Sequence, residues 1–165
     1  MKGVAGARTK NEGVFSKSSG VEVDETVIDA FNDIKLKRRH AYVVMMIKDN
    51  KKIVVEKLGD KLPPNCSQSR NEDIFNEMKR AFGMEPRYIL FDFCFTRSNQ
   101  TVAQKLAFIS WCSDEVAIGK KMIYASSKDA LKKRFTGLNT EFQCTDSAEF
   151  QHSELVKDLI HKDRV

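Results

Sequence analysis

The chain has 165 residues and 41% hydrophobic content, the size and apolar share of one ordinary folded domain, with no expectation of a second. Lys and Arg outnumber Asp and Glu by 28 to 23, a net charge of +5 with a pI near 9.0, which favours acidic over basic partners. Its longest apolar runs, Ala41 to Ile47 and Tyr88 to Phe95 with Asp92 inside, fall far short of the roughly 20 residues that cross a bilayer, so no membrane span is expected.

Residues 1–18 are rich in glycine and poor in large apolar groups, and they are read as a flexible N-terminal extension ahead of a folded domain over residues 19–165. Basic residues near the start lack the apolar stretch of a secretory leader, which points to the cytosol. Asp24 is placed to cap a helix in which Val27, Ile28, Phe31 and Ile34 recur at helical spacing, running to about Lys37. His40 to Ile47 and Lys52 to Lys57 read as strands of a hairpin turned at Asp49-Asn50. Gly59, Pro63, Pro64 and Asn65 make Lys57 to Gln68 a surface loop. A second amphipathic helix carries Ile74, Phe75, Met78 and Phe82 and stops near Gly83.

Tyr88 to Thr96 and Lys105 to Trp111 predict two central strands joined by the polar loop Arg97 to Gln104. A long helix is expected from about Val116 to Lys133, then a short strand at Glu141 to Cys144. The last helix is expected to contain Phe150, Leu155, Leu159 and Ile160, with Asp146 and Glu149 as a capping box at its start. Interleaved in this order, the elements predict an α/β (α+β) fold: a five- to six-stranded mixed sheet with helices on both faces.

The long helix holds the strongest functional signal. At about 100° per residue, Ile123, Ser127, Ala130 and Leu131 share the side expected to face the sheet, with Tyr124 at its edge. Lys121, Ala125, Lys128 and Lys132 form a second side, a basic stripe expected in water, while Met122 projects near Ile118 and Asp129, away from the core. Between Ile118 and Phe135, Lys120, Lys121, Lys128, Lys132, Lys133 and Arg134 face the single acid Asp129, a local net charge of +5. A soft thioether inside a charged rim suits a protein interface, although basic stripes are also commonly just solvated faces.

The string KKMIYASSKDALKKRF, Lys120 to Phe135, closely resembles the long helix of the actin-depolymerising factor/cofilin family, which inserts into a cleft at the barbed end of actin. Ser19-Gly20-Val21, Tyr88 to Asp92 and LAFISWCSD extend the resemblance over about residues 19 to 162. It implies a single ADF-homology domain, monomeric, acting on actin monomers and filaments with a preference for the ADP-bound form. It further implies actin contacts at Ser19, Gly20, Val21, Lys120, Lys121, Met122, Ser126, Lys128 and Asp129. Gly119 departs from a position that is commonly basic in the family. Ser19 resembles the family's regulatory phosphoserine, and a phosphate there would repel an acidic partner. A filament-side surface is implied at Arg97, Lys105, Lys157, His161 and Lys162, although Asp158 sits among the last three. Lys121, Lys128, Lys132, Lys133 and Arg134 are implied to engage phosphatidylinositol bisphosphate.

Other readings follow from the residues alone. Cys66, Cys94, Cys112 and Cys144 lack metal-ligand spacing and read as free thiols, with no metal or other cofactor expected. His40, His152 and His161 have no nucleophile or metal partner in sequence, and Ser127 and Lys128 point to different sides, so no catalytic centre is expected. Lys35, Lys37, Arg38 and Arg39 suit either nuclear import or a cation-rich helix end. A filament side-binder of coactosin type, a branch-junction module like the glia maturation factors, and a basic nucleic-acid binder are the alternatives.

Overall fold

In the computed structural model, residues 20–162 are described; the reading of residues 1–18 and Ser19 lies outside them. The elements are β1 (Glu22–Val23), α1 (Glu25–Lys37), β2 (Tyr42–Lys48), β3 (Lys52–Leu58), α2 (Gln68–Phe82), β4 (Arg87–Thr96), β5 (Val102–Trp111), α3 (Ile118–Lys132), β6 (Glu141–Cys144) and α4 (His152–Lys162). One six-stranded sheet runs in the order β1-β3-β2-β4-β5-β6. Its β2–β3, β2–β4 and β4–β5 pairs are antiparallel, whereas β1 joins β3 and β6 joins β5 in parallel.

The apolar run of β4 follows from its central position, since a strand covered on both faces needs no polar alternation. Ile89, Phe91, Phe93 and Phe95 point into a core shared with α2 and α4, where Phe75 meets Phe91 edge-on at 4.9 Å. Tyr88 and Leu90 point the other way, into a core closed by α1 and α3. The expected mixed sheet with helices on both faces is therefore present. Among the described residues, no helix is long and apolar enough to cross a membrane.

Several boundaries move for identifiable reasons. Asp24 caps α1 as expected, its carboxylate accepting from the Thr26 backbone N–H and hydroxyl. The short strand β1 has no periodic signature of its own; pairing with β3 creates it. The β4–β5 hairpin zips to Thr96↔Val102, which leaves only residues 97–101 as loop and extends the second strand back from Lys105 to take in Val102, Ala103 and Gln104. Asp146 Oδ1 does accept from the Glu149 N–H at 2.9 Å, but α4 begins only at His152. Phe150 thus lies before the helix, stacked on Trp111 with centroids 4.7 Å apart.

One stretch of β4 completes its hydrogen bonding without a neighbouring strand. The β2 ladder stops at Tyr42↔Phe91, after which Ala41 O takes the Asp92 N–H. Beyond that point, side chains from the start of α2 take over. Asn71 donates to the Asp92 carbonyl and accepts from the Cys94 N–H, both at 3.0 Å, and Gln68 accepts from the Thr96 N–H at 2.9 Å. These amides prevent the cost of orphaned backbone groups at a buried sheet edge.

Candidate functional site

Tyr124 seats α3 on the sheet. Its hydroxyl accepts from the Ile47 N–H at 2.9 Å, and its carbonyl accepts from the Tyr88 hydroxyl. Burial raises the pKa of both phenols, that of Tyr88 strongly, so they remain neutral hydrogen-bonding groups. Tyr124, Ser127 and Leu131 form the buried face, with Ile123 half-buried on its flank. Ser127 and Leu131 are buried as expected, but Ile123 and Ala130 are only half-buried and Tyr124, expected at the edge, is central, a rotation of roughly 50° at about 100° per residue. The Tyr124 hydrogen bonds account for the turn, because a polar tip that finds partners buries more readily than its composition suggests.

Opposite this face stand Ile118, 71% exposed, and Met122, 64% exposed, both with apolar side chains in water. Lys120, Ser126 and Asp129 are exposed around them. A side chain at Gly119 would meet nothing within 4 Å, so the residue leaves this ridge bare without any steric need for glycine. The N-terminal strand β1, two residues after Gly20, packs against α3. Gly20 is exposed with φ +71°, a left-handed conformation that suits glycine. Val21, expected as a contact, is instead a core residue at 2% exposure, because pairing of the next residues with β3 turns its side chain inward.

The basic stripe also differs from its linear reading. Rotation of α3 carries Lys121 and Lys128 to the rim of the buried face, where both are only half-exposed. Lys121 Nζ donates to the Asp114 carbonyl at 2.8 Å. Lys128 and Lys132 both pair with Glu141, at 3.2 and 2.7 Å, and Lys128 also donates to Gln143. Burial opposes ionisation of Glu141, but hydrogen bonds from Lys132 and Lys128 win and hold its carboxyl below the usual range. Lys120 pairs with Glu85 at 3.0 Å and Arg134 with Glu25 at 3.8 Å, leaving Lys121, held by a backbone carbonyl, and Lys133 without an acidic side-chain partner among the described residues. Three acids from outside the segment thus stand against its net +5, which periodicity along one helix could not reveal.

The residues expected at a second surface occupy two places. Arg97 sits in the β4–β5 turn, donating to the Thr101 hydroxyl at 3.3 Å and the Val102 carbonyl at 3.4 Å, while Lys105 is exposed on β5 opposite Phe93. Lys157, His161 and Lys162 are exposed on α4. Lys157 pairs with Glu154 at 3.0 Å, and the Lys162 ammonium lies 5.3 Å from the centre of the Phe142 ring.

Buried polar groups were the part least visible in sequence. Asp92 receives Arg38 Nη1 at 3.1 Å and Gln104 at 2.7 Å. Arg38 closes α1 with φ +49°, Lys35 donates to the Thr136 carbonyl, and Arg39 pairs with Asp33, so this basic cluster has structural uses. His152, 1% exposed, donates from Nε2 to Asn71 Oδ1 at 2.7 Å, and burial lowers its pKa to about 4. An acid within the apolar run Tyr88 to Phe95 was the only advance sign of this network. All four cysteines are free thiols, and no group of three or more His, Cys, Asp or Glu suited to a metal occurs among the described residues.

A mixed six-stranded sheet between two helical layers, presenting a long surface helix with an exposed Met, defines the ADF-homology class of domain. The family model for cofilin/tropomyosin-type actin-binding proteins matches residues 20–160, and the chain belongs to this family. It is similar to a cofilin of Gibberella zeae, 35% identical over 150 residues that cover 84% of this chain and 93% of that protein. Among solved structures, actin depolymerization factor 2 of Plasmodium berghei aligns with a TM-score of 0.76 at 26% identity, covering 87% of this chain and 98% of the other. The ADF-like UNC-60A protein of Caenorhabditis elegans aligns at 0.73 and 30% identity, covering 88% and 98%.

Proposed function

We propose that this protein binds actin through the outward ridge of α3 and promotes the loss of actin subunits from filaments. The exposed Met122, diametrically across the helix from the Tyr124 anchor, is the observation that carries the reading. An unbranched thioether in water adapts to a partner groove, and the surrounding charges orient the approach. Lys120, Lys121, Ser126, Lys128 and Asp129 complete the contact, together with Gly20. Because Lys128 already shares Glu141 with Lys132, docking draws more on shape and the Met anchor than on bare positive charge.

Arg97 and Lys105, with Lys157, His161 and Lys162, supply a second contact to a neighbouring actin subunit. Preferential affinity for a twisted filament would shift its conformational population and promote severing, without any chemical step. The ADP-bound form of actin is the preferred target. Phosphorylation of Ser19 adds about −1.5 to −2 charges, which repel an acidic partner and switch binding off. Inositol phospholipids compete for Lys121, Lys128, Lys132, Lys133 and Arg134. The protein works in the cytoplasm on the actin cytoskeleton.

Filament co-sedimentation and a fluorescence titration of actin monomers, each at two pH values, test the reading. Binding in both assays, lost in Lys121→Glu, is expected. Tight RNA binding with no effect on actin would overturn it.

A further inference from the structure

Beyond Tyr42, where the β2–β4 ladder stops, a cleft of about 640 Å³ opens beside β4, walled by the loop before α2, by Arg38 and by the Thr96–Gln104 end of the β4–β5 hairpin. Two thiols lie in its wall: Cys66, partly exposed on the loop, and Cys94, buried on β4. Their proximity follows from the amide clamp. Asn71 grips the backbone at Asp92 and Cys94, and Gln68 grips Thr96, so the start of α2 is held along β4. Cys66 stands immediately before Ser67, the residue that caps this helix by accepting from the Arg70 N–H at 3.0 Å. Its sulfur rests against the Ser67 carbonyl at 3.6 Å, and the residue shares the cleft wall with Cys94.

The two sides of the pair differ in secondary structure. Cys94 is fixed in a paired strand opposite Gln104. Cys66 follows Pro63, Pro64 and Asn65 outside any helix or strand, so its backbone can adjust to disulfide geometry without disturbing the sheet. Cys112 and Cys144 are not near this cleft; they line a different one, between β5, β6 and α3.

We propose that Cys66 and Cys94 form a reversible dithiol–disulfide site, closed by hydroperoxides and reopened by small thiols, that locks the start of α2 onto β4. The accessible Cys66 sulfur attacks the peroxide oxygen. The O–O bond breaks, the departing oxygen takes the thiol proton, and Cys66 becomes a sulfenic acid. The Cys94 sulfur then attacks the Cys66 sulfur, the S–S bond forms, the S–O bond breaks, and the Cys94 proton leaves with the hydroxyl as water. Two thiols are oxidised by two electrons while one hydroperoxide is reduced to an alcohol and water. Burial pushes the Cys94 thiol up to about 12, which keeps it protonated at neutral pH and leaves the initial attack to Cys66. None of this requires the actin reading to hold.

The test uses the full chain, folded, treated with hydrogen peroxide and mapped by non-reducing peptide mass spectrometry. A linked Cys66–Cys94 peptide lighter by two hydrogens is expected, reversed by dithiothreitol and missing from Cys66→Ser. Closing this loop should raise Tm by roughly 5–10 °C in the wild type and leave Cys66→Ser unchanged. In the reduced protein, phenylarsine oxide should bind one to one, consuming two thiols, and Cys66→Ser should lose that stoichiometry while keeping its own Tm. Cys66 trapped as sulfinic acid without a cross-link, pairing to Cys112 or Cys144, or dimers linked between molecules would each overturn the proposal.

Discussion

Truncating Met122 to Ala separates a docking residue from a packing residue. A fully buried Met side chain contributes about 1.5–3 kcal/mol. At 64% exposure, only about a third of that area leaves water on folding, so its loss removes about 0.5–1 kcal/mol. The better helix propensity of Ala returns a few tenths of a kcal/mol, and the net change in Tm should be only about 1–2 °C. The exposed two thirds is what a partner groove would cover. Its loss should cost about 1–2 kcal/mol of binding, roughly 5- to 30-fold in Kd. Differential scanning calorimetry gives the first quantity and titration of fluorescent actin monomers gives the second. A Tm lowered by more than about 5 °C would mean that Met122 belongs to the core, and an unchanged Kd would mean that actin docks elsewhere.

Other expectations follow from the surroundings of α3 and from the buried network. Glu141→Gln should release Lys128 and Lys132, strengthening actin binding several-fold at low salt and steepening its salt dependence, read by titration at two ionic strengths. Tyr124→Phe should leave the Ile47 N–H buried without its acceptor, costing about 1–3 kcal/mol in urea unfolding. His152 has a depressed folded pKa of about 4, against about 6.5 when unfolded, so between those values the unfolded chain binds the extra proton. Its contribution is intact above pH 6.5 and is lost progressively as the pH falls towards 4, by about 3 kcal/mol in all. Urea midpoints for wild type and His152→Gln across that range measure it, and the variant should show the flatter slope.

The internal pairing of the lysines changes how the surface works. A free stripe of ammonium groups would attract any polyanion over long range, whereas Glu85, Glu141 and Glu25 shorten that field. Exposed ion pairs of this sort add little to stability. Their effect is on selectivity, since an incoming partner must compete for Lys128 and Lys132 rather than find them vacant. The apolar ridge of Ile118 and Met122 faces no such competition.

Periodicity alone determined that the chain alternates helices with hairpins, that β4 is a sheet-centre strand, and that Met122 points away from the core. Those properties depend on residues a few positions apart, and short-range geometry is shared by every amphipathic helix and half-buried strand. Tertiary structure decided the rest, because it rested on partners distant in sequence. Ile47 and Tyr88 rotate α3 about Tyr124; Glu141 silences part of a stripe that looked free. Pairing with β3 hides Val21, and Asn71 replaces a missing strand beside Cys94. A hydrogen bond to a residue dozens of positions away leaves no repeat in the chain, so burial of a polar group or neutralisation of a lysine becomes visible only when the sheet brings the two together.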